Sequence, residues 1–121
     1  TDEQDNIFGQ AGNEKLWGYG ADDVLNGGKG TDQIFGHEGN DILVAGESGP
    51  DTNRIGDGYD QLDGGEGRDV YLFTANDGGN VISNLDNSQD RHDVIRFDSS
   101  VSFDSFSLSR RSAQSEFYKL Y

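Results

Sequence analysis

The chain has no cysteine. Neither a disulfide framework nor a thiolate metal site is therefore open to it, and thiols say nothing of its redox compartment. Basic residues are scarce: nine Lys and Arg stand against 23 Asp and Glu, a net charge of -14. Such a surface repels phosphate, which makes nucleic acid and anionic membranes poor partners and leaves cations as the natural ones. Apolar residues make up only 31% of the 121. In an unpatterned chain that composition favours disorder, and it leaves no room for a large conventional core. No apolar run approaches the roughly 20 residues that cross a bilayer as a helix. The opening Thr1-Asp2-Glu3-Gln4 is acidic, unlike a signal peptide, and starts in mid-repeat, as expected of a segment of a longer protein.

What the chain has instead is a beat. Acidic side chains recur every nine residues at Asp5, Glu14, Asp23, Asp32 and Asp41, then, after one inserted residue, at Asp51, Asp60 and Asp69. Two residues after each acid comes Ile7, Leu16, Leu25, Ile34, Leu43, Asn53, Leu62 or Tyr71, apolar in all but one case. Glycines precede the acids, most clearly in Gly27-Gly28-Lys29-Gly30-Thr31-Asp32 and Gly64-Gly65-Glu66-Gly67-Arg68-Asp69. The unit reads G-G-x-G-x-D-x-U-x, with U a large apolar residue, and a nonapeptide of this kind specifies a solenoid.

Each unit divides into about six loop residues and three strand residues, and glycine density excludes helix. Side chains alternate in direction along a strand, so one U residue per unit faces inward. A single sheet could not bury it. Two sheets filled alternately by successive units bring the U residues face to face, with two units, or 18 residues, per turn. One sheet is then expected to offer Ile7, Leu25, Leu43 and Leu62, the other Leu16, Ile34, Asn53 and Tyr71. The period fails near Thr74. Residues 75 to 121 carry serine-rich alternation, as at Val101, Phe103, Phe106 and Leu108, and read as antiparallel strands that cap the solenoid. Within them Gly78-Gly79-Asn80-Val81-Ile82 and His92-Asp93-Val94-Ile95-Arg96-Phe97 are worn half-repeats. The expected fold is all-β, a parallel solenoid over 1 to 74 with a β cap over 75 to 121, forming one structural unit.

One inward residue per unit is a thin ladder, whose burial falls short of the entropy lost in ordering the loops. Metal coordination is the remaining source of stability. Stacking at 18 residues sets Asp5, Asp23, Asp41 and Asp60 in one column and Glu14, Asp32, Asp51 and Asp69 in another. Bare columns repel; a hard divalent cation between successive loops reverses the sign. Calcium fits, because it takes about six to eight oxygens from carboxylates and carbonyls, whereas magnesium demands near-ideal octahedra and keeps its waters. The loop glycines placed to present carbonyls are Gly9, Gly12, Gly18, Gly20, Gly27, Gly28 and Gly30 in the first half. They continue as Gly36, Gly39, Gly46, Gly56, Gly58, Gly64, Gly65 and Gly67. Four acids in each column leave up to six gaps for calcium, and six ions (+12) would bring -14 to about -2.

These residues resemble the RTX, or haemolysin-type, calcium-binding repeat over positions 1 to 74. The resemblance implies a right-handed parallel β-roll, calcium held between loops by the motif aspartates and backbone carbonyls, and folding on meeting extracellular calcium. Members include pore-forming toxins, metalloproteases, lipases, alginate epimerases and adhesins, typically exported unfolded by type I secretion. A secreted or bacterial cell-surface location, with the secretion machinery as partner of the parent protein, is what it implies here. Asp69-Val70-Tyr71-Leu72-Phe73 resembles the usual last repeat, and Asp93-Val94-Ile95-Arg96-Phe97 with Leu108 and Arg110 resembles the strands that follow it in toxin-like members.

Departures from the pattern mark the weaker sites. Glu14 is a methylene longer than Asp and Ala21 replaces a loop glycine, so the first gap on that side is expected to bind less tightly. Ala45-Gly46-Glu47-Ser48-Gly49-Pro50-Asp51 is one residue too long, and Asn53 puts an amide in the core; a bulge is expected there. Asp5 lacks most of its own loop. Gln10, Tyr19 and His37 replace the second glycine, a position expected to be tolerant because only its carbonyl faces the metal. Trp17 and Phe35, 18 residues apart, are expected to pack against the 75 to 121 region or a neighbouring chain rather than to form a partner-binding stripe. His37 and His92 are isolated and suit surface roles better than a transition metal.

Other chemistries find no foothold. Gly27-Gly28-Lys29-Gly30-Thr31 fails the spacing of a phosphate-binding loop, and its fit to the nonapeptide accounts for every glycine. No EF-hand loop is present. No serine stands in a nucleophile elbow, and the carboxylate pairs belong to the columns with no cleft around them. Together with the resemblance, which implies a secreted toxin or adhesin as parent, the expected function is that of a non-enzymatic calcium-binding module. The alternatives are the non-catalytic repeat domain of a secreted protease, lipase or epimerase, or a ligand-binding module.

Overall fold

In the computed structural model the described residues are 2–48, 60–74, 80–83, 92–97, 107–110 and 117–120. Among them every regular element is a strand. In chain order these are β1 (Asn6–Phe8), β2 (Ala11–Gly12), β3 (Lys15–Tyr19), β4 (Val24–Asn26), β5 (Lys29–Gly30), β6 (Gln33–Glu38) and β7 (Ile42–Val44). They continue as β8 (Glu47–Ser48), β9 (Asp60–Glu66), β10 (Val70–Phe73), β11 (Asn80–Ser83), β12 (Val94–Phe97), β13 (Ser107–Arg110) and β14 (Phe117–Leu120).

Successive units do alternate between two sheets. One sheet runs β1-β4-β7-β10-β12 and the other β3-β6-β9-β11, then β14 and β13. A small third sheet, β2-β5-β8, zips the loops along one edge. Ile7 pairs in parallel with Leu25 and Leu25 with Leu43, while Leu16 pairs with Ile34. This is the 18-residue turn expected of a parallel β-roll, whose coils number about three. The U residues of both sheets meet in the middle: Leu25, Ile34, Leu43, Leu62 and Tyr71 are fully buried, with Leu16, Phe73 and Ile82 beside them and Ile7, Ile95 and Phe97 packed against the cluster.

Above Leu43 the stacking departs from the nine-residue count. β6 is hydrogen-bonded directly to β9, setting Ile34 beside Leu62, and β7 directly to β10, setting Leu43 beside Tyr71. Leu62 therefore belongs with Leu16 and Ile34, and Tyr71 with Ile7, Leu25 and Leu43, the reverse of the expected assignment. The rung expected from Asn53 stands between neither pair of strands. An amide in that rung would lose its water without a partner, a cost of about 1–3 kcal/mol. The insertion's Gly49, Pro50 and Asp51 lie outside the described residues, as do Asn53, Val101, Phe103 and Phe106.

The worn half-repeats are full rungs. Ile82 of β11 stacks on Leu62, and Ile95 of β12 stacks on Tyr71, both in parallel. Antiparallel pairing, expected throughout 75 to 121, joins β14 to β11 and β13 to β14. Strand length also differs between the sides. The expected triplets hold for β1, β4 and β7, but β3, β6 and β9 reach five to seven residues because pairing runs on into the loop, as at Tyr19 with His37 and His37 with Gly65.

That continuation fixes the second loop position in the left-handed region, with φ of 80° at Tyr19 and 79° at His37. At Tyr19 and His37 the stack thus imposes a glycine-like conformation, whereas Gln10 at the same loop position does not adopt it. Ala21 is held likewise at φ 74°, and Gly39 of the next coil presses its Cα against the Ala21 carbonyl. An L-residue in that region is strained by roughly 1–2 kcal/mol. Ala21→Gly is therefore expected to stabilise the folded chain by about 1 kcal/mol after glycine's entropy is allowed for. Thermal unfolding in excess calcium measures it, and a lower melting temperature would refute the strain.

Candidate metal centre

Each motif acid sits at the turn from loop into strand, where the pleat points its carboxylate inward along the loop edge. Asp23, Asp32, Asp41, Asp60 and Asp69 are buried, at 1% exposure or less. One oxygen of each has a fixed partner, the backbone N–H of the acid one coil earlier. Asp5 N–H donates to Asp23 Oδ1 at 2.7 Å, Asp23 to Asp41 at 2.9 Å, Asp41 to Asp69 at 2.9 Å and Asp69 to Asp93 at 2.9 Å. On the opposite edge Glu14 N–H donates to Asp32 Oδ1 at 2.9 Å, Asp32 to Asp60 at 2.7 Å, and Asp60 to Asn80 Oδ1 at 3.3 Å.

The columns are thus Asp5, Asp23, Asp41, Asp69, Asp93 and Glu14, Asp32, Asp60, Asn80. The expected placements of Asp60 above Asp41 and of Asp69 above Asp51 are overturned by the same change of register that moved Leu62 and Tyr71. Asp51, Gly56 and Gly58 lie outside the described residues. Asp93 and Asn80 were missed as column members, although each precedes an apolar strand as the motif acids do. Also missed was an outer ladder at the residue before the acid. Asn13 Oδ1 accepts from Thr31 N–H, Asp22 Oδ1 from Asn40 N–H and Asn40 Oδ1 from Arg68 N–H, at 2.8 to 3.0 Å.

The second oxygens carry the chemistry. Glu14 Oε2 and the Oδ2 atoms of Asp23, Asp32, Asp41 and Asp69 are buried and accept no hydrogen bond. A buried carboxylate oxygen without a donor is costly unless a cation meets it. Each points to one place, the face of the glycine five residues before it. A Cβ on Gly27 would collide with Asp32 Oδ2 and stand 2.7 Å from the Ala45 carbonyl oxygen of the next coil. A Cβ on Gly18 would meet Asp23 Oδ2 and stand 2.8 Å from Gly36 O; on Gly36 it would meet Asp41 Oδ2 and stand 2.5 Å from Gly64 O. At Gly9 the pair is Glu14 Oε2, 3.1 Å away, and Gly27 O. Gly64 repeats the contact with Asp69 Oδ2.

At four loops, called cradles below, a carboxylate oxygen and a carbonyl oxygen from adjacent coils therefore close on one glycine, an approach that any side chain there would block. Two oxygens with no proton between them attract a cation. Among the described residues no three Asp, Glu, His or Cys side chains gather to hold a metal by themselves. The donor set is one of carbonyls and few carboxylates, which suits calcium and not zinc. His37 instead stacks on Tyr19, at 5.6 Å between ring centroids.

The other predicted glycines serve the stack. Gly28 packs on the Gln10 carbonyl, Gly30 on Gly12, Gly46 on Gly28, Gly65 on His37 and Gly67 on Gly39, each one coil away. Gly12 also faces Glu14 Oε1, and Gly20 stands apart, nearest to Asp2.

Burial makes these acids hold protons. Loss of water lifts the Asp69 carboxyl from 3.8 to about 7, an effect the N–H of Asp41 opposes and the charges of Asp93, Asp41 and Asp63 reinforce. Asp41 is lifted to about 6 by burial, with Asp23 and Asp22 adding to the rise, and Asp32 is raised in the same way. An acid with a raised folded-state pKa binds protons that the unfolded chain has released, so stability without metal falls as pH rises from about 4 to about 7. Calcium must displace those protons. The calcium concentration at half-saturation is expected to fall as pH is raised from about 5.5 to about 7.5. Titrations at several pH values with a fluorescent calcium indicator would show it, and a constant midpoint would mean that calcium displaces no protons, as for a metal-free chain that is already open.

The model of the RTX calcium-binding nonapeptide repeat matches the chain in four copies, at residues 1–34, 8–43, 17–52 and 56–82. No curated protein and no solved structure matches. With more than half its length under that repeat, and with a carboxylate and a carbonyl oxygen paired at four of the described loops, the chain belongs to the RTX calcium-binding repeat family.

Proposed function

We propose that this chain is a non-enzymatic module that folds when calcium enters its loop cradles, and that it serves a larger secreted toxin or adhesin as the part that sets after export. The observation that carries this reading is the row of buried carboxylate oxygens lacking donors, each aimed at a carbonyl of the next coil. Without a cation the roll must protonate these acids or open. Inside a cell, where free calcium is scarce, opening keeps the chain threadable for type I secretion; outside, calcium closes it.

The described cradles number four: Gly9 with Glu14 and Gly27, Gly18 with Asp23 and Gly36, Gly27 with Asp32 and Ala45, and Gly36 with Asp41 and Gly64. Four ions are accordingly proposed for these coils. Residues 75 to 121 combine two roles in this reading. β11 and β12 extend the roll, and the antiparallel β13 and β14 close the edge of the six-stranded sheet, which guards it against pairing with another chain. Following β structure while calcium is added to chelated protein tests the proposal.

A further inference from the structure

The outward face of the six-stranded sheet carries an aromatic lattice that calcium does not use. Trp17 and Tyr19 of β3 stand beside Phe35 and His37 of β6. Trp17 stacks with Phe35 at 6.2 Å and 14°, Tyr19 with His37 at 5.6 Å and 3°, and Phe35 meets His37 at 6.3 Å. Trp17 and Tyr19 are 41% and 56% exposed.

On β9 the two rows change character together. The register puts Asp63 after Trp17 and Phe35, and Gly65 after Tyr19 and His37. A row that supplies a ring on two successive strands thus supplies no side chain on the third. A groove of about 500 Å³ opens there, with the rings of Phe35 and His37 in its wall and the carboxylates of Glu38, Asp63 and Glu66 around it. Asp2 adds a fourth carboxylate, and none of the described residues lining the groove is Lys or Arg. These acids do not gather tightly enough to hold a metal ion.

We propose that this groove takes an arginine side chain of a partner polypeptide, the guanidinium continuing the ring stack over Gly65 and the carboxylates receiving its N–H groups. A planar cation satisfies both halves of the site. Stacking on aromatic faces uses its flat surface, and the fork of donors matches the carboxylates of Glu38 and Glu66 at the rim, which a neutral ring could not engage. The chain's charge of -14 draws such a partner toward the face.

Trp17 is the chain's single tryptophan and stacks on Phe35 of the groove wall, so its emission reports on the site through that ring. The calcium-loaded chain would be titrated with a blocked tri-arginine peptide, its uncharged tri-citrulline analogue and a neutral oligosaccharide. The arginine peptide is expected to change Trp17 emission saturably and to bind about tenfold more tightly than citrulline. Neutralising the rim with Glu38→Gln and Glu66→Gln together is expected to weaken it about tenfold, with the circular dichroism unchanged. That variant still carries -12 (-14 plus two), so attraction to bulk charge alone would barely fall. Equal binding of arginine and citrulline peptides, or equal binding to the variant, would overturn the proposal. So would an oligosaccharide that binds more tightly than the peptide, emission that changes with protein concentration through self-association, or a Trp17 that iodide cannot quench because another segment covers it.

Discussion

Calcium added to the chelated chain at neutral pH is expected to convert an unordered circular dichroism spectrum into a β one, with a midpoint between sub-millimolar and millimolar ion. The size of the change follows from where the charges are. In the coils described, Asp23, Asp32, Asp41, Asp60 and Asp69 are shut away from water along two columns, and each of Asp23, Asp32, Asp41 and Asp69 keeps one oxygen without a donor. The inward ladder is one residue wide and cannot offset those charges. Neither folded nor half-folded arrangements relieve the repulsion, because shortening the stack only re-exposes the U residues. The metal-free chain is accordingly expected to stay open at neutral pH, with the whole β signal belonging to the calcium form. Magnesium at the same concentration should leave the spectrum unordered. A full β spectrum in excess chelator at neutral pH would end this reading.

The second large effect is expected from one methyl group. Gly36→Ala removes no charge and no hydrogen-bond donor, and φ at Gly36 is not in the left-handed region, so backbone strain plays no part. Its Cβ would nevertheless occupy the spot between Asp41 Oδ2 and the Gly64 carbonyl. If that spot is a cation cradle, the calcium midpoint should rise tenfold or more, about 1.4 kcal/mol at the least. Gly20→Ala is the matched control. Its Cβ would stand 3.3 Å from the flexible Asp2 carboxylate and touch no loop carbonyl, so its midpoint should stay near that of the parent. Equal shifts in both variants would mean that glycine is needed for chain packing and not for metal.

Much of this architecture follows from counting. The 18-residue turn, the alternation between sheets and the inward set Ile7, Leu16, Leu25, Ile34 and Leu43 all emerge from the nine-residue period, because a strand has only two faces and one is apolar. The glycines that the carboxylates approach stand at positions the period already marks, but their separate tasks do not follow from it. A repeat cannot say that Gly27 clears room for an oxygen pair while Gly28 lies on a carbonyl; both are simply glycine.

Counting failed at the long unit. An inserted residue can be absorbed as a bulge, which keeps every later unit in sequence, or its unit can be left out of the stack, which sends every later unit to the opposite sheet. Both advance the chain by the same number. Burial decides between them, since Asn53 is a poor inward residue and Leu62 fits on Ile34 as well as it would on Leu43. The carboxylate partners changed with it, from Asp41 over Asp60 to Asp41 over Asp69. Asp93 and Asn80 were read only as worn half-repeats and not as column members, because an amide replaces the acid at Asn80 and the loop glycines are lacking before Asp93, although the apolar strand after each remains.

Asp23, Asp32, Asp41, Asp60 and Asp69 are each gripped by the amide of the acid one coil earlier. Ordering one loop therefore aims the carboxylate that the neighbouring loop needs, and the ions enter less as independent guests than as teeth of a zip. In such a one-dimensional array each link depends only on its neighbours. The steepness of the response to calcium is then a property of how many coils stand in an unbroken row, and it can be tuned by length while the affinity of any one loop stays the same. A faulty link in the middle would split the zip into two shorter and blunter switches, whereas the same fault at Asp5 would fray only one end.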